Sequence, residues 1–88
     1  MNICFLLGKV VDDVEFKFIY NSKNVSISIF KLMLSNKSIV ECEAYDEIAD
    51  YIYRNIKKGN LIFIEGTIKH ESIEICKIKN LEIKNREI

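Results

Sequence analysis

The segment Tyr45–Ile68, YDEIADYIYRNIKKGNLIFIEGTI, contains a helix pattern, a helix-stop signal and a strand pattern in immediate succession. Its helical part begins with acidic and ends with basic residues, as the helix dipole favours, and its apolar stripe consists of Ile48, Ile52 and Ile56. We predict that Asp46 caps the helix and that Gly59 ends it in the left-handed conformation. Leu61–Ile64 then predicts a buried strand, in which Gly66 indicates a bulge or a close backbone approach.

The sequence on either side of this segment predicts further strands, because its apolar residues are dense or alternate with polar ones. These strands are Ile3–Val11, Val25–Leu34, Ile39–Tyr45 and Ile73–Ile83, the last with an irregularity at Cys76–Lys77. Gly8 is expected to break or bulge the first strand. Glu15–Ile19 is either the second half of one long, coiled first strand or a separate short strand. Residues 85–88 form a short charged end.

Two sets of apolar residues with opposite parity share the strand that begins at Val25. The first set is Val25, Ile27 and Ile29, and the second is Phe30, Leu32 and Leu34. We expect the first set to face the core. For the second set, either a bulge shifts the register or these side chains face outward and meet a partner.

The predicted order is three strands, one helix and two strands. This is the order of the OB-fold, a five-stranded Greek-key barrel that binds oligonucleotides and oligosaccharides across its second and third strands. We therefore predict a mainly β protein, with residues 1–88 as a single OB-fold domain whose helix, between strands 3 and 4, plugs one end of the barrel.

The composition is that of a globular chain of 88 residues, 49% of them hydrophobic, in which thirteen basic residues balance thirteen acidic ones. A neutral domain has no overall attraction to nucleic acid, so such binding requires a local patch. Cys4, Cys42 and Cys76 fit neither a full disulfide set nor a zinc site; we expect reduced, mostly buried thiols and a cytoplasmic protein. No membrane span, cofactor loop, metal-ligand spacing or nucleophile motif is present, so we expect neither an enzyme nor a cofactor.

Several short motifs, in one consistent order, resemble those of the bacterial single-stranded DNA-binding proteins, the SSB family. They are Asn2–Val10 (NICFLLGKV), Asp13–Phe18 (DVEFKF, with Val14 in place of the family's proline), Glu43–Tyr45 followed by the helix, Lys57–Gly59 and Ile64–Gly66. The resemblance covers nearly the whole chain. It implies an OB-fold that binds single-stranded DNA in replication and repair.

The resemblance also implies roles for particular side chains. Tyr45 stands at the position of a base-stacking phenylalanine, and Lys17 at that of a phosphate-contacting arginine. Phe18 stands at a neighbouring aromatic position, and Lys57 and Lys58 at basic positions at the helix end. An aromatic ring stacked on a base contributes about 1–3 kcal/mol, and basic residues contact the phosphates.

The chain departs from the family's pattern on the surface where the resemblance places the single strand of DNA. Ile39 replaces a stacking aromatic, Glu41 an arginine or other polar residue, Asp46 a glycine and Glu47 a lysine. By strand parity Glu41 and Glu43 share the face of Tyr45, so two carboxylates repel phosphate there. The turns Ser35–Ser38 and His70–Ser72 are short where the family has long loops, and we expect a minimal member that lacks the family's acidic, apolar tail.

In the family the first strand pairs with its symmetry mate, which implies a homodimer or homotetramer here. The predicted interface residues are Ile3, Phe5, Leu7, Phe30 and Leu32. Two hypotheses follow: a minimal, non-specific single-stranded DNA-binding domain that gains avidity by oligomerisation, or an OB-fold protein-interaction module similar to the small primosomal relatives of this family. Sugar binding is disfavoured because the chain has no tryptophan.

Overall fold

The computed structural model describes residues 2–82, which form six strands and one helix. The strands are β1 (Ile3–Val10), β2 (Glu15–Ile19), β3 (Val25–Leu34), β4 (Ile39–Tyr45), β5 (Leu61–Ile68) and β6 (Ile73–Asn80), and helix α1 (Asp46–Asn55) lies between β4 and β5. The predicted end of the last strand at Ile83 and the charged end at 85–88 lie outside the described residues. No helix in residues 2–82 is both long and apolar enough to cross a membrane.

The strands close into a barrel. The sheet order is β1-β5-β6-β4-β3-β2, and β1 also pairs with β3, which completes the ring. Both β1 and β2 pair antiparallel with β3, at Leu32–Leu34 and at Val25–Ile29 respectively. They are therefore two halves of one barrel strand, interrupted between Val10 and Glu15. Counted this way, the predicted five-stranded OB-fold with its helix between strands 3 and 4 is confirmed.

Helix α1 closes one end of the barrel with the predicted apolar stripe. Ile52 and Ile56 are buried in the core, and Ile48 packs against it half-buried. The hydroxyl of Ser28 donates to the carbonyl oxygen of Ala49 at 2.8 Å, and that of Ser26 to the carbonyl oxygen of Asp46 at 3.3 Å. Two serines of β3 thus hold the helix against the barrel.

These serines show that the predicted core face of β3 was wrong. The inward side chains are the even-numbered ones, and Phe30 and Leu32 are 2% and 0% exposed. The β3–β4 register is continuous from Ile27↔Tyr45 to Met33↔Ile39, so no bulge changes the parity. Phe30 and Leu32 belong to the core and not to an oligomer interface. The set Val25, Ile27 and Ile29 faces outward, half-buried.

The helix ends also differ from the prediction. Tyr45 is the N-terminal capping residue, and no side chain bonds the free N–H groups. Asp46 instead has φ +56°, the left-handed region that favours glycine. At the other end α1 stops at Asn55, and Gly59, with φ +95°, lies in the following turn. The glycine allows the chain to turn into β5 but does not end the helix.

Two glycines permit close packing of strands. A Cβ on Gly8 would lie 2.6 Å from the carbonyl oxygen of Met33, where β1 passes from β5 to β3, and β1 continues without the predicted break or bulge. A Cβ on Gly66 would lie 2.6 Å from the carbonyl oxygen of Glu74. The β5–β6 register shifts at Gly66 and leaves Cys76 without a partner residue, which confirms both the irregularity and the close approach.

The three cysteines are free, as expected, but only Cys42 is buried. Burial raises the pKa of the Cys42 thiol to about 12. Cys4 is half-buried, and Cys76 is exposed at the β6 bulge.

Candidate nucleic-acid interface

The outward side chains of β2, β3 and β4 form one continuous surface, which we call the Tyr45 face. Strand pairing places Lys17, Ile27 and Tyr45 in one row across the three strands. The next row contains Glu15, Ile29 and Glu43. Because residues two positions apart on a strand share a face about 6.6 Å apart, the two rows place Lys17 and Tyr45 beside the carboxylates of Glu15 and Glu43.

Tyr45 is tied to one of these carboxylates. Its hydroxyl donates a 2.9 Å hydrogen bond to Oε2 of Glu43. This hydrogen bond raises the pKa of the Tyr45 phenol, with smaller contributions from desolvation and from the charges of Glu43 and Glu74. The hydrogen bond to Glu43 therefore orients the Tyr45 ring along the sheet surface.

Two cations on or beside this face are paired as well, whereas the exposed Lys31 of β3 forms no ion pair within residues 2–82. Lys17 Nζ lies 3.5 Å from Oε2 of Glu15, and Lys69 Nζ lies 2.9 Å from Oε1 of Glu74. Glu74 is paired with Glu43 in the sheet, and Lys69 contributes to the electrostatic environment of Tyr45. These are the two ion pairs found within residues 2–82, and both lie on or beside the Tyr45 face.

The departures from the family's pattern also lie on this face. Glu41 is exposed and opposite Lys31 of β3, and Ile39 is exposed opposite Met33. The predicted acidic character of the face is thus present, but each carboxylate that we have named there has a lysine or a hydroxyl nearby or faces one across the sheet. Tyr45, for which the resemblance predicts base stacking, therefore lies among carboxylates on this face.

The structure does not bring all the predicted binding residues together. Lys17 and Tyr45 share the Tyr45 face, but Phe18 is opposite Ser26, whose side chain points to the helix, so Phe18 lies on the other side of β2. Lys57 and Lys58 follow the far end of α1, a helix about 15 Å long. The predicted set therefore divides between two surfaces.

Two tyrosines that the sequence did not single out lie beside Phe18 and the lysines. The ring of Tyr20 makes an edge contact with the ring of Phe18, with 4.7 Å between the ring centres. The ring of Tyr53 stacks on that of Phe16 at 4.6 Å. The alternation of Phe16, Phe18 and Tyr20 was a visible signal of one aromatic face, although the partner ring from the helix was not.

A third surface, formed by the outer sides of β1 and β5, carries several exposed apolar side chains, with Glu65 opposite Phe5. Phe5 is 61% exposed and its ring lies 6.3 Å from that of Phe63, between the exposed side chains of Ile3 and Leu7. Strand β1 pairs with β3 only from Gly8 to Val10. Within the described part of the chain, the backbone edge of Ile3–Leu7 opposite β5 has no neighbouring strand.

The closed barrel, the helix that plugs it and the Lys17–Tyr45 row define an OB-fold domain with the elements of a nucleic-acid interface. The sequence profile described as the Single-strand binding protein family matches residues 1–83. The chain belongs to this family. A comparison with curated protein sequences gives no match.

Solved structures share the fold at low sequence identity. The single-stranded DNA binding protein from Thermus aquaticus superposes with a TM-score of 0.82 and 15% identity, over 100% of this chain and 44% of that one. The second OB-fold domain of replication protein A from Methanococcus maripaludis gives 0.77 and 17%, over 91% and 84%. The protein priB from Ralstonia solanacearum gives 0.72 and 17%, over 91% and 98%. The chain spans less than half the length of the Thermus aquaticus protein, and at these identities the likeness establishes the fold.

Proposed function

We propose that this domain binds single-stranded DNA without sequence preference, as an oligomer, in replication and repair. The observation that carries the proposal is the Lys17–Ile27–Tyr45 row, which joins a stacking ring and an ammonium on the barrel face of an SSB-family chain. Tyr45 stacks on a base, and Lys17 contacts a phosphate. Stacking on Tyr45 and attraction of phosphate to Lys17 are possible with any base, so we expect no sequence preference.

Binding by one subunit is weak, because the carboxylates compete with phosphate. Lys17 must leave Glu15 to contact DNA, and the Tyr45 ring is held by Glu43. Several subunits on one strand offset this weakness, because each later contact is intramolecular. Oligomerisation is therefore part of the proposed function.

The oligomer forms through β1 and β5. The open backbone edge at Ile3–Leu7 can pair with the same strand of a second copy, and the Phe5 and Phe63 rings supply apolar area beside it. Multi-angle light scattering at tens of micromolar is expected to give a dimer or tetramer mass, and Phe5→Asp, at a position exposed in the single subunit, is expected to lower it. A monomer mass for the unaltered protein contradicts this part of the proposal.

The preference for single strands tests the function itself. A labelled oligo-thymidine strand bound by the protein is challenged with unlabelled single strand or with unlabelled duplex, and fluorescence anisotropy reports displacement. We expect the single strand to displace the probe at much lower concentration, because duplex bases are not available for stacking on Tyr45. Equal competition by duplex would leave only charge attraction and would remove the proposed stacking role.

A second candidate function is supported by the chemistry of the Tyr45 face. Its ion pairs and its aliphatic residues Val25, Ile27 and Ile29 are compatible with contact to another protein. In that case the domain is an interaction module, and no single-strand binding is measurable even at low salt. The first step of the competition experiment, binding of the labelled oligo-thymidine strand, distinguishes the two candidates.

A further inference from the structure

Four aromatic side chains form a strip on the side of β2 opposite the Tyr45 face. We call it the hairpin–helix strip: Tyr20 on Phe18 at 4.7 Å, and Phe16 on Tyr53 at 4.6 Å. Phe16 and Phe18 are two positions apart on one strand, about 6.6 Å, so the two pairs are neighbours. Tyr20, Tyr53 and Phe18 are 78%, 55% and 45% exposed. Large aromatic rings at this exposure offer contact area that the single subunit does not use.

Basic residues lie at the ends of the strip. Lys57 and Lys58 line a shallow cavity of about 220 Å³ together with Tyr53. Lys23 lies in the turn that follows Tyr20. None of these lysines forms an ion pair within residues 2–82, whereas Lys17 and Lys69 beside the Tyr45 face both do.

Carboxylates are also present, but their positions differ from those on the Tyr45 face. Asp13 lines the cavity with the two lysines and makes no ion pair among the described residues. Asp50 accepts the Ser26 hydroxyl at 3.2 Å. Neither holds an aromatic ring of the strip, in contrast to Glu43 and Tyr45.

We propose that the hairpin–helix strip is a second contact surface for single-stranded DNA, with bases stacked on Tyr20 and Tyr53 and phosphates on Lys57 and Lys58. The inference rests on the proposed function, since it assigns the same ligand to a second surface. Unpaired cations beside exposed rings are the two components of a non-specific single-strand site.

The path between the two surfaces crosses one strand. Strand β2 is at the end of the sheet order and, among the described residues, pairs only with β3. Its neighbouring residues Lys17 and Phe18 point to opposite faces. A nucleic-acid strand that leaves Tyr45 past Lys17 therefore meets Phe18 and Tyr20 as soon as it passes this free edge.

A protein segment is the less favoured occupant of this region. A free strand edge can accept a peptide by strand pairing, but β2 is only five residues long and carries Glu15 and Lys17, and short, charged edge strands resist such pairing. The exposed rings and the unpaired lysines need no backbone pairing to bind a single strand.

The first test replaces the most exposed ring. Tyr20→Ala is expected to weaken binding of an oligo-thymidine of about 30 nucleotides by five- to tenfold in fluorescence anisotropy, the loss of one stacked base. Tyr20→Phe, the matched control, keeps the ring and is expected to bind as the unaltered protein does. Unchanged affinity in Tyr20→Ala overturns the inference, and so does an equal loss in both variants.

The second test uses charge and leaves the aromatic packing intact. Lys57→Glu combined with Lys58→Glu is expected to make the dependence of log affinity on log salt shallower by about 1.4, at about 0.7 for each lost phosphate contact on a single strand. Lys37→Glu, in the exposed turn between β3 and β4, is the control and is expected to leave the slope unchanged. An unchanged slope in the double variant overturns the phosphate role.

Tyr45→Ala, measured beside these variants, separates this inference from the proposed function. If only Tyr45→Ala weakens binding, the Tyr45 face is the site and the strip inference fails. If only Tyr20→Ala and the lysine variant do, the inference stands and the proposed role of Tyr45 fails. If the unaltered protein binds no strand at low salt, both fail.

Discussion

The two sides of strand β2 both present aromatic rings and lysines, but the two surfaces differ in whether carboxylates are bound to these groups. On the Tyr45 face the ring is hydrogen-bonded to Glu43, and Lys17 is paired with Glu15. On the hairpin–helix strip the rings pack against one another in two pairs, and Lys57 and Lys58 have no ion-pair partner within residues 2–82. The resemblance assigns binding positions on both surfaces, and on the second the rings and lysines are free of carboxylate partners within residues 2–82.

This difference shows that a motif position and a working contact are separate properties. The family resemblance assigns binding roles to Tyr45 and Lys17, but Glu43 accepts a hydrogen bond from the first and Glu15 is paired with the second. Tyr20 and Tyr53 match no motif, yet Tyr53 lines a cavity with Lys57 and Lys58, to which the resemblance assigns basic positions. Variants of these residues and their neighbours can show how far each surface depends on its carboxylates, from the largest expected effect to the smallest.

Removal of the Tyr45 ring has the largest expected effect. Tyr45→Ala should weaken single-strand binding about tenfold, because one stacked base is lost. Tyr45→Phe keeps the ring and removes the hydroxyl that Glu43 accepts, so it should bind at least as tightly as the unaltered protein. Titration of labelled oligo-thymidine by anisotropy measures both, and full affinity in Tyr45→Ala would make the Tyr45 face dispensable.

Charge reversal at Glu41 should make the Tyr45 face less acidic, and so closer in charge to the hairpin–helix strip. Glu41→Arg replaces an exposed carboxylate with a cation, and we expect binding about three- to fivefold tighter at low salt, because a phosphate repulsion becomes an attraction. The gain should shrink as salt rises. A loss of affinity instead would mean that Glu41, opposite Lys31, makes a necessary structural or subunit contact.

Asp46 connects the Tyr45 face to the barrel interior, since it follows Tyr45 and its carbonyl oxygen accepts the Ser26 hydroxyl. Its φ of +56° is unfavourable for residues with a Cβ, so Asp46→Gly should raise the free energy of unfolding by about 0.5 kcal/mol, after the entropy cost of glycine. Asp46→Ala, the matched variant, should lower it. Urea denaturation measures both, and a less stable glycine variant contradicts the strain at this position.

The smallest expected effect is on the titration of Tyr45. Its pKa is raised above 10.0, first by the hydrogen bond to Glu43. The stability that this bond contributes is therefore present below pH 10 and is lost as pH rises through the raised pKa. In absorbance titrations, Glu43→Ala should shift one tyrosine back towards 10.0. Identical titration curves for the two proteins would mean that the bond is absent in solution.

The fold was predictable where a pattern depends on a single element. The stripe of α1 and the alternation of β4 are local, and both are present as predicted. The parity of β3 was not predictable from β3 alone, because Ser26 and Ser28 point inward to helix carbonyl oxygens. A polar residue at a core position is identified only when its partner across the fold is known.

The position of Phe18 was missed for a different reason: the resemblance assigned it a binding role beside Lys17, although consecutive residues on a strand point to opposite faces. Strand β2 takes its faces from β3, so the inward position of Ser26 places Phe18 away from Tyr45. The family's motif placed Lys17 and Tyr45 together but gave no information on the neighbours that pair with them. Tyr53 joins the strip only because α1 packs beside β2, and the sequence spacing does not encode that contact.

Salt dependence is the measurement that tests single-strand binding by this neutral chain most directly. Labelled oligo-thymidine is titrated with the protein at low and at moderate salt. The account predicts measurable binding at low salt that weakens as salt rises, because lysines that contact phosphates release counterions. No binding at low salt, or binding that salt leaves unchanged, would contradict it.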